Sequence, residues 1–166
     1  MKEEKFKVLK TMKEATSRMD LNVFAKKVDL NPSQTIQQIQ ELAKEGFLQK
    51  VGGGFGITER GKAAIKAFTP VPEEMGFHFY NGVNQPTDLA ASTLVEFYGI
   101  AKKINADSLE FHLYRGDFEN WLKEAYKDPD LADEIGCIKS AGLKGEVLRT
   151  QLLKALDIRY GIQELL

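Results

Sequence analysis

The charge of this chain changes sign at a proline-containing segment, and this division constrains the fold more than any other feature. Residues 1–68 contain 13 Lys and Arg against 8 Asp and Glu, whereas residues 69–166 contain 10 against 16. The junction at residues 69–74 holds two prolines, which disfavour the continuation of a helix. We therefore expect a basic domain at 1–68, a linker at 69–75 and an acidic domain at 76–166, with the basic domain suited to a polyanionic partner.

The composition excludes several classes of protein. Hydrophobic residues make up 43% of the 166 positions, which is ordinary for a globular chain and too high for disorder. No apolar run approaches the roughly 20 residues of a membrane-spanning helix, and the charged N-terminus lacks the pattern of a signal peptide. The single cysteine, Cys137, cannot form an intramolecular disulfide, and we expect it to be packed in the interior. We predict a cytoplasmic protein without a metal or cofactor.

The basic half has the pattern of four helices and one β-hairpin. Apolar residues at helical spacing predict helices over about 2–15, 21–28, 32–44 and 59–68. Asn31 before Pro32 is a strong start signal for the third helix, and Gly46 ends it. Residues 47–51 and 55–57 read as two strands joined by a glycine turn.

This order of elements resembles the winged helix-turn-helix domain of bacterial and archaeal regulators. The resemblance rests on residues 23–28 as the second helix, 31–42 as the third, 45–48 as the exit into the wing and 57–62 as the closing strand and helix start. It covers residues 2–68 and departs at Asp29, where the family often has glycine. It implies a third helix that enters the DNA major groove and a wing that touches the DNA backbone.

Within that resemblance, the outward side chains of the third helix are candidate base contacts, because a glutamine amide can pair bidentately with adenine. These candidates are Ser33, Gln34, Thr35, Gln37 and Gln38. The side chains expected to face the core are Ile36, Ile39, Leu42 and Ala43. The candidate phosphate contacts are Lys26, Lys27, Lys44 and Lys50, with Lys5 or Lys7 in addition. The alternative is a solvated glutamine face on a winged helix that contacts protein.

The acidic half predicts strands that alternate with helices. Residues 77–80 and 109–114 read as strands, and a long helix is predicted between them from about 87 to 103. Further helices are predicted after Asp117, after Asp128 and after Gly145, with Trp121 in the core. If the long helix is a crossover, the two strands lie parallel. Residues 111–122 and 128–132, with Phe-His-Phe-Tyr at 77–80, resemble an uncharacterised prokaryotic domain family. The resemblance covers about residues 76–160 and implies no activity.

Both histidines lie in similar patterns, Phe-His-Phe-Tyr at 77–80 and Phe-His-Leu-Tyr at 111–114. Parallel strands would place His78 and His112 on one face, near Arg115 and Asp117. Such a cluster predicts a small site for an anionic ligand or a metal. The spacing lacks HxH and HExxH patterns, so a half-exposed sheet face or a subunit interface is the alternative. Arg115 and Asp117 also fit a salt-bridged turn with a helix cap.

We therefore predict an α+β fold, with an N-terminal winged helix and a C-terminal helix-rich domain that contains a small β-sheet. The predicted function is a non-enzymatic transcription regulator that binds double-stranded DNA as a homodimer. The second domain is expected to dimerise, to sense a small-molecule effector or to contact a protein partner, with no membrane involved. The alternatives are an adaptor that uses the winged helix for protein contact, and a ligand- or metal-binding enzyme that uses His78 and His112.

Overall fold

The computed structural model describes residues 1–15 and 17–166, which form an α+β fold. Ten α-helices and two antiparallel two-stranded sheets are present within these residues. The chain divides into two compact units, residues 1–65 with 165–166, and residues 66–164. No helix in the described ranges is long and apolar enough to cross a membrane.

The first unit contains three helices, a hairpin and most of a fourth helix. These elements are α1 (Glu3–Glu14), α2 (Leu21–Lys27), α3 (Pro32–Lys44), β1 (Leu48–Val51), β2 (Gly54–Ile57) and α4 (Glu59–Phe68). Asn31 and Gln34 form a reciprocal capping box at the start of α3, and Gly46 follows the helix with a φ of 82°. Both predicted signals are therefore confirmed. Asp29 adopts a φ of 57°, so it takes the left-handed conformation for which the resembled family often uses glycine.

The face of helix α3 that packs against the core differs from the predicted one. Thr35 and Leu42 are fully buried, whereas Ile36 is 42% exposed. The Thr35 hydroxyl donates a 2.9 Å hydrogen bond to the Asn31 carbonyl, so its burial leaves no unpaired donor. The prediction that Thr35 faces outward and Ile36 inward is wrong. Thr35 and Leu42 are seven residues apart, so they lie on the same face of the helix, and this is the face that is buried.

The hairpin and the start of α4 form as expected. Strands β1 and β2 pair antiparallel from Leu48 opposite Ile57 to Val51 opposite Gly54, which leaves a two-residue turn. The Thr58 hydroxyl donates to the Gly46 carbonyl at 2.7 Å and accepts from the Gly61 amide at 3.1 Å. This one side chain therefore caps α4 and ties it to the end of α3.

The second unit contains one hairpin and a series of short helices. After a 3₁₀ turn at Glu73–Met75, the elements are β3 (Phe77–Gly82), β4 (Gln85–Ala91), α5 (Leu94–Ala101), α6 (Ala106–Arg115), α7 (Asp117–Glu124), α8 (Pro129–Ser140), α9 (Gly145–Tyr160) and α10 (Ile162–Leu165). Strand β3 pairs antiparallel with β4, so its partner is residues 85–91 and not residues 109–114, which were predicted to lie parallel to it.

Two predicted elements of this unit have the wrong type. Residues 109–114 lie in helix α6, where Leu109, His112 and Leu113 are buried at i, i+3 and i+4. The pair Leu109 and Leu113 fits both strand and helix periods, which explains the error. The predicted helix at 87–103 begins only at Leu94, because Thr93 and Glu96 form a capping box and the residues before it pair with β3.

Aromatic rings fill the core of the second unit. Phe77 lies 4.9 Å from Phe79 and 5.4 Å from Trp121 between ring centroids, and Phe97 stacks on Trp121 at 5.1 Å. The Trp121 indole donates a 2.7 Å hydrogen bond to the Met75 carbonyl. The predicted core position of Trp121 is confirmed, whereas Cys137 is exposed rather than packed.

A buried carboxylate joins α8 to α9. Asp128 is 1% exposed, caps α8 through the Leu131 amide, and accepts two hydrogen bonds from the Arg159 guanidinium and one from the Tyr160 hydroxyl. Burial by itself raises the pKa of Asp128, but the hydrogen bonds from Arg159, Tyr160 and the Leu131 amide outweigh it and hold the pKa below its usual range. The predicted acidic helix start is confirmed, and its cationic partner was not expected.

Replacing Arg159 with methionine should destabilise the second unit by about 3 kcal/mol, because it leaves a buried carboxylate without its counter-charge. Urea unfolding followed by Trp121 fluorescence measures this change, since Trp121 is the single tryptophan and lies in this unit. Lys154→Met on the same helix is the control, because Lys154 is exposed and should change stability little. An equal loss in both variants would contradict the assignment.

Replacing Gly61 with alanine should destabilise the first unit by about 2 kcal/mol through overpacking. A Cβ at this position would lie 2.4 Å from the Phe47 carbonyl oxygen and 2.7 Å from an Ile57 methyl. Gly99→Ala in α5 is the matched control, because its Cβ would meet no atom within 4 Å and should stabilise by about 0.5–1 kcal/mol. Thermal unfolding followed by circular dichroism should therefore show shifts of opposite sign.

Candidate functional site

The polar face of α3 is smaller than the sequence predicts. Ser33 is exposed, and Gln37 is exposed with its amide nitrogen 3.1 Å from a Glu41 carboxylate oxygen. The Gln34 side chain is engaged at the helix start, where its oxygen accepts from the Asn31 amide at 3.1 Å. Of the predicted base contacts, Ser33 and Gln37 are therefore the ones that are exposed and take no part in the capping box.

Two of the predicted base contacts point away from solvent. Thr35 is fully buried, so its prediction as a groove contact is wrong. Gln38 is half-buried, with its amide nitrogen 3.5 Å from a Glu4 carboxylate oxygen on α1. The sequence analysis missed two exposed positions, Ile36 and Gln40. A buried face through Thr35 and Leu42, seven residues apart, would have placed both of them outside the core.

The four predicted phosphate contacts are exposed. Within the described ranges, no ion pair is formed by Lys26, Lys27, Lys44 or Lys50. Lys5 differs, because its ammonium lies 2.5 Å from Glu45 and 3.0 Å from Glu41, with 13% of its side chain exposed. The hydrogen bond to Glu45 is the main cause that raises the pKa of Lys5. Lys7 pairs with Asp29, so both α1 candidates are neutralised by carboxylates.

An apolar groove lies beside the exposed face of α3. We call it the α3–hairpin groove. It has a volume of about 700 Å³ and is bounded by the end of α1, residues 17–19, the start of α2, α3 and the hairpin. Its lining includes Met12, Met19, Phe24, Ile36, Ile39 and Phe55. The sequence analysis did not predict this groove, because it assigned Ile36 and Ile39 to a closed core.

Arg18 is the cationic residue among those that line the groove. Its guanidinium donates to the carbonyl of Gly53 in the hairpin turn. A Cβ at Gly53 would lie 2.8 Å from the donating nitrogen, so the missing side chain permits this contact. Arg18 is exposed, and among the described residues no acidic side chain lines the groove.

The second candidate site places His112 in a hydrogen-bonded cluster on α6. Its Nε2 accepts from the Tyr80 amide at 2.8 Å, so the ring hydrogen lies on Nδ1 and donates to Asp117 at 2.8 Å. The buried Ser108 hydroxyl donates to the Tyr80 carbonyl at 2.6 Å. Two side chains of one helix turn therefore hold the main chain of one strand residue.

His78 does not join this cluster. It lies on the exposed face of β3, whereas His112 packs on the opposite face, against the rings of Phe77 and Phe79 at 4.9 Å and 6.0 Å. The predicted pairing of the histidines is wrong because residues 109–114 are helical. Asp117 begins α7 without capping it and approaches the Arg115 guanidinium at 3.4 Å.

The environment of His112 favours the neutral form of its ring. Burial lowers its pKa, the Asp117 carboxylate opposes that effect, and Arg115 lowers the pKa further. Both ring nitrogens already have partners, so neither faces a ligand. In the part of the chain that the structure describes, no group of three or more His, Cys, Asp or Glu side chains is placed to hold a metal ion.

Comparisons with known proteins find no relative. No family model, no curated protein and no solved structure matches this chain. The arrangement of its residues is therefore the basis for assigning a function.

The stability of the second unit should fall as the pH is lowered from 7 to 5. The lowered folded-state pKa means that the unfolded chain binds a proton at His112 more readily, so stability is full above about pH 6.5 and declines below it. Urea unfolding followed by Trp121 fluorescence across this range measures the effect.

The two histidines provide a matched pair for this measurement. His78→Gln should keep the pH dependence because His78 is exposed, whereas His112→Gln should flatten it at lower overall stability. A decline that persists in His112→Gln would show that another group titrates.

Proposed function

We propose that this chain is a DNA-binding regulator whose first unit is a winged helix. The order α1, α2, α3, β1, β2 and α4 supports the proposal, because it is the order that the sequence resemblance implies. In this reading α3 enters the major groove and the β1–β2 hairpin is the wing that approaches the backbone.

The observation that carries the proposal is the set of exposed lysines around α3. Lys26 and Lys27 lie at the end of α2, Lys44 at the end of α3 and Lys50 on β1, and none is neutralised by an ion pair in the described ranges. Lys5, Lys7 and Lys62 of the same unit do have carboxylate partners. Charge left unpaired on a small basic unit is suited to phosphate contacts.

The base contacts in this proposal are fewer than the sequence suggested. Gln37 is the main candidate for a bidentate contact with adenine, with Ser33 and Gln40 beside it on the exposed surface. The second unit would serve for self-association or for contact with a protein. Its exposed apolar side chains support that role, and the largest exposures are at Val83, Val147 and Ile158.

A second candidate function is an adaptor that binds protein through the first unit. The exposed Ile36 on α3 and the adjoining α3–hairpin groove favour it, because an apolar side chain in the middle of a DNA-reading surface contributes little to phosphate or polar base contacts. The adaptor predicts no DNA affinity at low salt, which separates the two functions.

Fluorescence anisotropy of the full chain on duplex DNA at 50 to 200 mM salt tests the proposal. Binding should weaken steeply with salt, and replacing both Lys26 and Lys27 with glutamine should lower the magnitude of the salt slope by about 2. Lys154→Gln in the second unit is the control and should leave the slope unchanged. No binding at 50 mM salt would reject DNA binding and favour the adaptor.

Two neighbouring glutamines separate reading of DNA bases from general stability. Gln37→Ala should weaken binding to a preferred sequence by about 1–3 kcal/mol, because it removes an exposed base contact. Gln38→Ala should leave DNA affinity unchanged, because Gln38 is half-buried toward α1. The comparison uses anisotropy titrations on duplexes selected for tight binding. Equal losses in both variants would contradict the proposed orientation of α3.

A further inference from the structure

We propose that the α3–hairpin groove binds a small amphiphilic carboxylate, with the apolar body of the ligand inside the groove and its carboxylate at Arg18. The sequence analysis placed effector sensing in the second domain, whereas this site lies wholly in the first unit. Binding there does not require that the unit bind DNA, so the two proposals are tested separately.

The size and lining of the groove favour a small molecule. A volume of about 700 Å³ is within the range of pockets that hold drug-sized ligands, which are mostly apolar with a few polar groups. Met12 and Met19 contribute flexible, polarisable side chains to the lining, and Ile36 and Ile39 of α3 contribute branched ones. A hydrocarbon or aromatic body would cover the exposed part of Ile36.

The charge of the groove selects the polar end of the ligand. Arg18 uses one nitrogen for the Gly53 carbonyl, and its remaining N–H groups have no hydrogen-bond partner within the described ranges. No carboxylate lies within ion-pair distance of Arg18 in those ranges, and no acidic side chain lines the groove. A planar guanidinium held in place by the hairpin is suited to a carboxylate, whereas a cationic ligand would meet repulsion.

The contact between Arg18 and Gly53 also fixes where the carboxylate binds. Because the guanidinium is hydrogen-bonded to the Gly53 carbonyl, its remaining N–H groups are held next to the hairpin turn. A ligand that reaches from Arg18 to Ile36 therefore touches both the hairpin and α3. The fit requires a molecule with one charged end and an apolar body, which describes medium-chain fatty acids and aromatic acids.

The test is a titration of the full-length protein with decanoate and with decylammonium, which have the same tail and opposite charge. Two-dimensional amide NMR identifies the residues that respond. We expect decanoate to shift the resonances of Arg18, Ile36 and Val51 and to bind about tenfold more tightly than decylammonium, as one charge-assisted hydrogen bond predicts. Arg18→Gln should abolish that preference.

Lys10→Gln is the matched control, because it removes the same charge from an exposed position of α1 outside the groove. It should keep the preference for decanoate, which separates the Arg18 contact from the general positive charge of the unit. Unchanged circular dichroism of both variants verifies their fold. The proposal is overturned if decanoate causes no shifts, if the shifts lie outside the groove, or if the two variants behave alike.

Discussion

The second unit depends on two hydrogen bonds between α6 and the main chain of Tyr80. The pairing of β3 with β4 is irregular on both sides of Tyr80, and the residue opposite it is Pro86, which has no N–H to donate. The Tyr80 amide therefore donates to His112, and its carbonyl accepts from Ser108. These bonds satisfy partly buried backbone groups beside the irregular strand pairing, and they hold α6 against the aromatic core.

The hydrogen bonds to Tyr80 also limit the reactions in which Ser108 and His112 can take part. Serine, histidine and aspartate lie close together in this cluster, yet Nε2 of His112 accepts from an amide and the hydroxyl of Ser108 donates to a carbonyl. A nucleophile and base need free reactive atoms, so the cluster has a structural role. Within the described ranges, the exposed cations and the open groove of the first unit and the exposed apolar side chains of the second unit remain available for binding.

Helix α3 combines two surfaces that the proposals assign to different ligands. Ser33 and Gln37 are exposed polar residues, while Ile36 and Ile39 line the apolar groove. The division follows from the burial of Thr35, because a fully buried residue at that position rotates its neighbour Ile36 out of the core. A polar residue with a local hydrogen-bond partner thus occupies the core, and an apolar one remains accessible to a ligand.

The α+β class, the first four helices, the glycine hairpin and the cap at Asn31 could be predicted from the sequence, because these depend on local backbone chemistry. The exposed lysines could also be predicted, because a charged side chain without a partner stays in contact with water. The helical state of residues 109–114, and the placement of His112 and His78 on different sides of β3, became clear only from the packed structure. The spacing of Leu109 and Leu113 fits both a strand and a helix. The helix is favoured by contacts with residues distant in the sequence, namely the Tyr80 main chain and the aromatic core, which no local pattern reveals.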